Sequence, residues 1–537
     1  MLGRPTAANR WLANRLRRVT PEQPASVDLA ATGTPSSRPL ASPSPAPPSV
    51  AHPGLGLAVV MIGVLITAID TTIVVLALPE IQRGLHVALS SVIWVVIGYL
   101  LVITLLATQV GRLGDMFGRV RMYEAGFLVF IAGSALCASA WDQASIVAFR
   151  ALQGVGGALM TANSGAIIAD LFPPDKRGRA YGFNAVGWSV GAVLGIVVGG
   201  VIVTYASWRW IFWINVPIGA VGVSLALRAL RDSNRRARHQ LDLAGMLTLG
   251  LGLYGVLWAM TRLATSPFGT ATAGYLLGGL ALVGAFAFIE RARPEPMLDL
   301  SLLGAPTVAP TLLAALAQGL ANFAVLFLVI MYLQGPRAMS PFDASLLLVP
   351  GYVVGSAIGP TAGRLADRFG PVLPATAGLA VQVAALFVYS RLSPSTGLWV
   401  VVAASVLNGT GASAFFPANS AALMRAVKPQ VFGIASGMLR TFANIGMVFS
   451  FSMAILVASR SISRHLAFAI FVGTARLRGE VARAFTSGLH SAFYASMVVM
   501  ALAAGLSATR QARGRRSRPL PDQVPAMATS AEGPAQG

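Results

Sequence analysis

Apolar residues in this chain fall in blocks of about 20, one after another from about residue 56 to about residue 508. At about 1.5 Å rise per residue, such a block is as long as a bilayer's hydrocarbon core is thick. No water reaches the backbone there, so a spanning segment bonds to itself as a helix or closes into a barrel. A barrel would show alternating segments of about 10 residues, and the sequence has no such alternation. Charged residues make up 11% of the chain and hydrophobic residues 55%, against about 25% charged in soluble proteins. The expected fold class is all-α integral membrane. Its fourteen spans fall at about 56–78, 91–111, 121–141, 145–170, 180–204, 209–229, 243–262, 272–291, 307–333, 344–364, 372–391, 397–424, 431–459 and 489–508.

The formal charge of +21 would point to nucleic acid in a soluble chain. Here the basic residues gather in loops and tails, as the positive-inside rule expects, and no nucleic-acid partner is expected. Arg112, Arg119, Arg121, Lys176, Arg177, Arg179, Arg228, Arg231 and the cluster from Arg510 to Arg518 share one side. That places both termini in the cytoplasm of a plasma-membrane protein. The Arg-rich segment 460–488 falls on the outer side and runs against the rule. Residues 1–53, rich in Ala, Ser, Pro and Arg, read as a disordered cytoplasmic tail rather than a transit peptide, because Pro43–Pro48 fits no amphipathic helix. Residues 509–537 read as a second, basic disordered tail. Cys137 stands alone in an apolar block, so no internal disulfide forms and a packing role is expected. The five histidines have no metal-ligand spacing. There is no phosphate loop and no nucleophile–base motif, so neither ATP-driven transport nor enzyme activity is expected.

GRLGDMFG at 111–118 recurs as GRLADRFG at 363–370, an offset of 252. LQGVGGALMTANS (152–164) echoes LNGTGASAFFPANS (407–420), with one insertion. The chain therefore reads as a six-helix bundle over 54–235, two inserted spans over 236–300 and a second six-helix bundle over 301–508. Paired bundles with a site between them are a recurrent transporter design.

Four motifs carry chemistry. Asp70 lies mid-span, where a carboxylate costs about 2.5–3.5 kcal/mol and so needs a polar cavity or a partner. A carboxylate that gains and loses a proton is what proton coupling requires; the plainer alternative is a structural group bonded to Thr71, Thr72 or a neighbouring helix. Arg150 opens the fourth-span motif, with Gln153, Gly154 and Gly157 on the same helix face. It either polarises a carboxylate or snorkels to the interface. The repeat offers Asn322 opposite Asp70 and Ser405 opposite Arg150, so titratable charge is confined to the first copy. In the 111–121 loop, Gly111, Gly114 and Gly118 allow sharp turning, Arg112, Arg119 and Arg121 anchor at the interface, and Asp115 accepts from arginines. With Asp367 in the second copy, this reads as a gate latch. Gly187, Gly191, Gly195 and Gly199 form a small-residue stripe for close helix packing. The Trp-rich stretch 208–217 reads as an interfacial anchor, broken at Pro217.

Together these motifs resemble the major facilitator superfamily, and within it the fourteen-span drug:proton antiporter branch. The likeness covers roughly 56–508 and rests on Asp70-Thr71 with Ala77-Leu78-Pro79, GRLGDMFGRVR, Arg150 with Gln153-Gly154-Val155-Gly156, and WRWIFWINVPIG at 208–219. The branch's usual Gly-Pro is absent, since Gly195 is followed by Ile196. The resemblance implies alternating-access export of small amphipathic compounds by a monomer, driven by a proton gradient with no other cofactor. It also implies that Asp70 and Arg150 carry coupling and that a central cavity takes the substrate; the candidates to line it in this sequence are Trp94, Tyr99, Gln153, Trp188, Asn322, Phe323 and Tyr332. A dedicated metabolite or antibiotic exporter, a proton-coupled importer and a non-transporting receptor or scaffold are the alternatives.

Overall fold

A computed structural model describes residues 53–87, 89–232, 240–265, 267–293, 296–427, 432–460 and 480–516. Both expected tails, apart from Pro53 and residues 509–516, and most of the basic segment 460–488 lie outside the described residues. What is described is helical, without a strand. The first six long helices are α1 (Pro53–Leu85), α2 (Trp94–Phe117), α3 (Arg119–Ala138), α4 (Gln143–Leu171), α5 (Pro174–Tyr205) and α6 (Asn215–Ala229). An antiparallel pair follows, α7 (Leu243–Thr265) and α8 (Thr270–Ala292). The last six are α9 (Val308–Gln334), α10 (Val349–Phe369), α11 (Val372–Tyr389), α12 (Leu398–Ala426), α13 (Phe432–Arg460) and α14 (Glu480–Arg516). Among the described residues, 13 of these are long and apolar enough to cross a membrane. The fourteenth, α2, bends by 55° between Ala107 and Gln109. The final helix continues to Arg516, past the end of its apolar block.

The repeat is visible in the packing. In the first half α1 lies against α5 and α6, α2 against α4, and α3 against α4 and α6. In the second half α9 lies against α13 and α14, α10 against α12, and α11 against α12 and α14. Each contact has its counterpart eight helices later, so two bundles of six share one arrangement. The bundles meet where α2 lies against α13, where α5 lies against α10 and the short helix Pro341–Leu346, and where α1 touches α9. The inserted α7–α8 pair reaches the bundles through α7, which touches both α13 and α2.

The glycine stripe of α5 is what lets α1 approach. A Cβ at Gly191 would lie 2.7 Å from the Leu65 carbonyl oxygen, and one at Gly195 would lie 2.7 Å from that of Ile69. At Gly199 it would meet Ile73 at 2.6 Å. Ile196, standing where the branch pattern has proline, keeps its N–H, and α5 runs unbroken. Gly187 is looser: its nearest neighbour, on Met61, is 3.8 Å away.

That difference gives a test of the seam. Gly195→Ala is expected to destabilise the purified protein by about 1–3 kcal/mol through overpacking against backbone. Gly187→Ala is expected to leave thermal unfolding within error of the parent, or raise it slightly.

Candidate functional site

The centre of the first bundle is assembled by backbone proximity. Gly154 on α4 faces α2, where a Cβ would stand 2.9 Å from the Tyr99 carbonyl oxygen. Gly156 faces α3, where a Cβ would collide with the Phe130 backbone. With α2 and α3 drawn onto α4, Arg150 and Gln153 on the remaining face reach α1. The start of α4 is fixed by a capping box, in which Asp142 accepts from the Ser145 N–H at 2.8 Å and Ser145 Oγ accepts from the Asp142 N–H at 3.1 Å. The Ser145 N–H, with the Ser145 hydroxyl, holds the Asp142 carboxyl below its usual range.

Asp70 and Arg150 meet there, 0% and 1% exposed in their side chains. Arg150 Nη1 donates to Asp70 Oδ2 at 2.7 Å and to Gln153 Oε1 at 2.7 Å, and its Nε donates to the Val95 carbonyl at 2.9 Å. Asp70 Oδ1 accepts from Gln153 Nε2 at 2.9 Å and Asn215 Nδ2 at 3.3 Å. The guanidinium carbon lies 4.1 Å from the centre of the Tyr99 ring, a cation–π contact in a site without bulk water. Asn215 also donates to Ser134 Oγ at 3.1 Å, and Cys137 Sγ donates to Gln153 Oε1 at 3.8 Å.

Asp70 is thus bonded to two neighbouring helices, and Arg150 is turned inward toward it. Thr71 and Thr72 bond to carbonyls one turn back on their own helix, at 2.7 and 3.1 Å, and not to Asp70. Arg150 does not snorkel. Sequence reasoning missed Asn215 and Ser134, and took Cys137 as packing alone. Asn215 sits in the Trp-rich anchor, at the joint between the single turn Trp210–Trp213 and α6. Pro217 falls in the first turn of α6, where it needs no freed carbonyl satisfied. Trp210 and Trp213 face outward, 58% and 40% exposed.

Of the cavity candidates, Gln153 belongs to this network and Tyr99 lies beneath Arg150. Trp94 is buried among Tyr254 and Trp258, and buried Tyr332 donates to the Ser393 carbonyl at 2.7 Å. These four face protein neighbours in this conformation. Trp188 is exposed, and Asn322 and Phe323 are half-buried. Asn322 Oδ1 accepts from Gln382 Nε2 at 2.8 Å, and the same amide reaches Asn408 Oδ1 at 3.4 Å. Asn408 is the repeat counterpart of Gln153, so the second bundle carries an uncharged amide cluster where the first carries an ion pair.

The latch loop is tied within the first half. Arg119 Nε donates to Asp115 Oδ1 at 2.8 Å, and its Nη1 bridges both Asp170 oxygens at 3.0 Å. Gly118 has φ +110, and a Cβ there would collide with Asp232, whose Oδ1 accepts from the Val120 N–H at 3.1 Å. Arg112 donates to the Gln240 and Pro296 carbonyls at 2.9 and 2.7 Å. Gly111 and Gly363 both face open space. Asp367 lies in α10, but its side chain is outside the described residues. A further buried cation escaped the sequence reading: Arg510, placed in the basic tail, donates to Thr311 Oγ1 at 3.1 Å and Asn419 Oδ1 at 2.8 Å.

Removing one member of a buried ion pair costs roughly 3–5 kcal/mol, while an apolar replacement of both can be neutral. Asp70→Leu and Arg150→Met are each expected to destabilise on that scale. The Asp70→Leu/Arg150→Met double variant is expected to unfold later than either single variant in the same denaturation series.

Comparison with known proteins places this geometry. The family model described as Major Facilitator Superfamily matches residues 60–451 and 311–525. The chain is 31% identical over 412 residues to the tetracenomycin C resistance and export protein of Streptomyces glaucescens, covering 75% of this chain and 76% of that one. It is 28% identical over 404 residues to the multidrug transporter protein MdtP of Bacillus subtilis, with 73% of each covered. Among solved structures, a bacterial homologue of the human lysosomal transporter Spinster is similar in fold, with TM-score 0.62 at 17% identity over 88% of this chain and 99% of that one.

Proposed function

The chain belongs to the Major Facilitator Superfamily, and on that premise we propose that it is a proton-coupled secondary transporter exporting small amphipathic drug-like compounds by alternating access. The observation that carries this reading is the fully buried Asp70–Arg150 pair, locked by Gln153 and Asn215 across α1, α4 and α6. A proton on Asp70 removes the negative partner and leaves Arg150 as a buried cation, a state the bundle escapes by rearranging. The charge-assisted bonds that are lost are about twice as strong as neutral ones, so one proton has leverage over the α1–α4 contact.

The rest of the site fits around that switch. The amide cluster Asn322–Gln382–Asn408, with Phe323 nearby, offers hydrogen bonds and apolar surface but no charge. That suits ligand contact in the second bundle. The basic residues at the latch-loop end support a cytoplasmic position for it, with both termini on that side of the plasma membrane. At the opposite end the halves touch, where the Phe342 N–H donates to Thr204 Oγ1 at 3.3 Å. Open space at Gly111 and Gly363 fits a state that admits substrate from the cytoplasm. Asp115, Arg119 and Asp170 then act as the gate's fixed half.

A second reading, a dedicated exporter of one antibiotic or native metabolite, is favoured by the identity to the tetracenomycin C export protein. A compound-susceptibility panel in an efflux-deficient host separates the two. Tolerance to several unrelated amphipathic compounds is the expected outcome, and tolerance to one alone selects the second reading. In inverted vesicles with an imposed proton gradient, Asp70→Asn is expected to lower gradient-driven uptake by tenfold or more. Uptake equal to wild type overturns the coupling assignment.

A further inference from the structure

The inserted α7–α8 pair carries a second buried acidic group. Asp242, just ahead of α7, and Glu290, in the last turn of α8, are 2% and 3% exposed. Asp242 Oδ1 accepts from the Gly245 N–H at 2.8 Å, and Glu290 Oε2 from the Leu298 N–H at 3.4 Å. The other two oxygens, Asp242 Oδ2 and Glu290 Oε1, are buried with no partner. Both look onto Gly245, where one point, the position of an added Cβ, lies 2.4 Å from the first and 2.9 Å from the second. They are therefore no more than 5.3 Å apart, the sum of those distances. Two ionised carboxylates have only acceptors to turn toward each other, and burial makes that arrangement costly.

Among the described residues, no charged group bonds to the two inward oxygens. Arg293 Nη2 stands 3.6 Å from Asp242 Oδ1, on the side already bonded, and its side chain is 38% exposed. From α2, Gln109 turns its Oε1 to the Asp242 N–H at 3.3 Å, while its Nε2 is buried without a partner. Arg112, three residues on, spends its guanidinium on the Gln240 and Pro296 carbonyls, one from each end of the inserted pair.

We propose that Asp242 and Glu290 form a second proton-binding site, holding one proton between Asp242 Oδ2 and Glu290 Oε1. Uptake of that proton takes the pair from a charge of −2 to −1 and supplies the missing donor. Its loss leaves two carboxylates competing for Arg293 and for the spare Gln109 amide. The protonation state thereby sets how firmly the inserted pair grips the latch end of α2.

Infrared spectra of the purified full-length protein, titrated in detergent, test this. The wild type is expected to keep a protonated-carboxyl band at about pH 6, well above the range of an exposed glutamate. Glu290→Gln is expected to abolish a component of that band, and so is Asp242→Asn, in which Asn retains the helix cap. Glu290→Gln is also expected to melt close to the wild type, because an amide replaces a neutral acid. A band that survives both substitutions, or that is missing from the wild type, overturns the proposal. The spectra need no transport substrate, so their outcome is independent of the export reading.

Discussion

A carboxylate and a guanidinium, both sealed from water, set the terms on which the first bundle is built. Taken singly, either charge is costly at that depth. Together they are tolerable only with good geometry and with their remaining donors and acceptors filled. Gln153 bonds to both, Asn215 takes the second carboxylate oxygen, the Val95 carbonyl takes Nε, and the Tyr99 ring covers the guanidinium. The surrounding sequence serves this arrangement. Glycines on α4 bring α2 and α3 close, and glycines on α5 bring α1 close. The threonines beside Asp70 satisfy themselves on their own helix and leave the carboxylate to its partner.

The two bundles repeat one packing plan but not one chemistry. Asn322, Gln382 and Asn408 are neutral, so no proton alters their hydrogen bonding as it would that of Asp70. The latch is also unequal. The second copy keeps Asp367 but has Pro371 and Leu373 where the first has Arg119 and Arg121. The buried ion pair and the ion pairs that hold the loop both lie in the first half.

Much of the fold is legible in the sequence because the bilayer imposes it. Apolar block length fixes the helices, and the two GRL loops mark the repeat. Asp70 and Arg150 stand out because mid-span charges are rare. Their mutual bond is not legible, since 80 residues separate them and pairing depends on which faces the glycines bring together. Asn215 hides in a Trp-rich stretch whose composition signals an interface. Gln153 reads as a cavity residue because nothing local shows that Asp70 and Arg150 will claim it. Arg510 hides among tail arginines, although its guanidinium is enclosed by Thr311, Asn419 and Ser507. A basic cluster predicts topology well and says little about any one member.

In the proposed cycle the Asp70–Arg150 pair exchanges a proton against substrate. This exchange is tested most directly by following pH in a weakly buffered solution of the purified protein while a transported cationic dye is added. Linkage requires competing ligands to displace one another. Net proton release on dye binding is expected from the wild type and none from Asp70→Asn. Equal release from both proteins would contradict it.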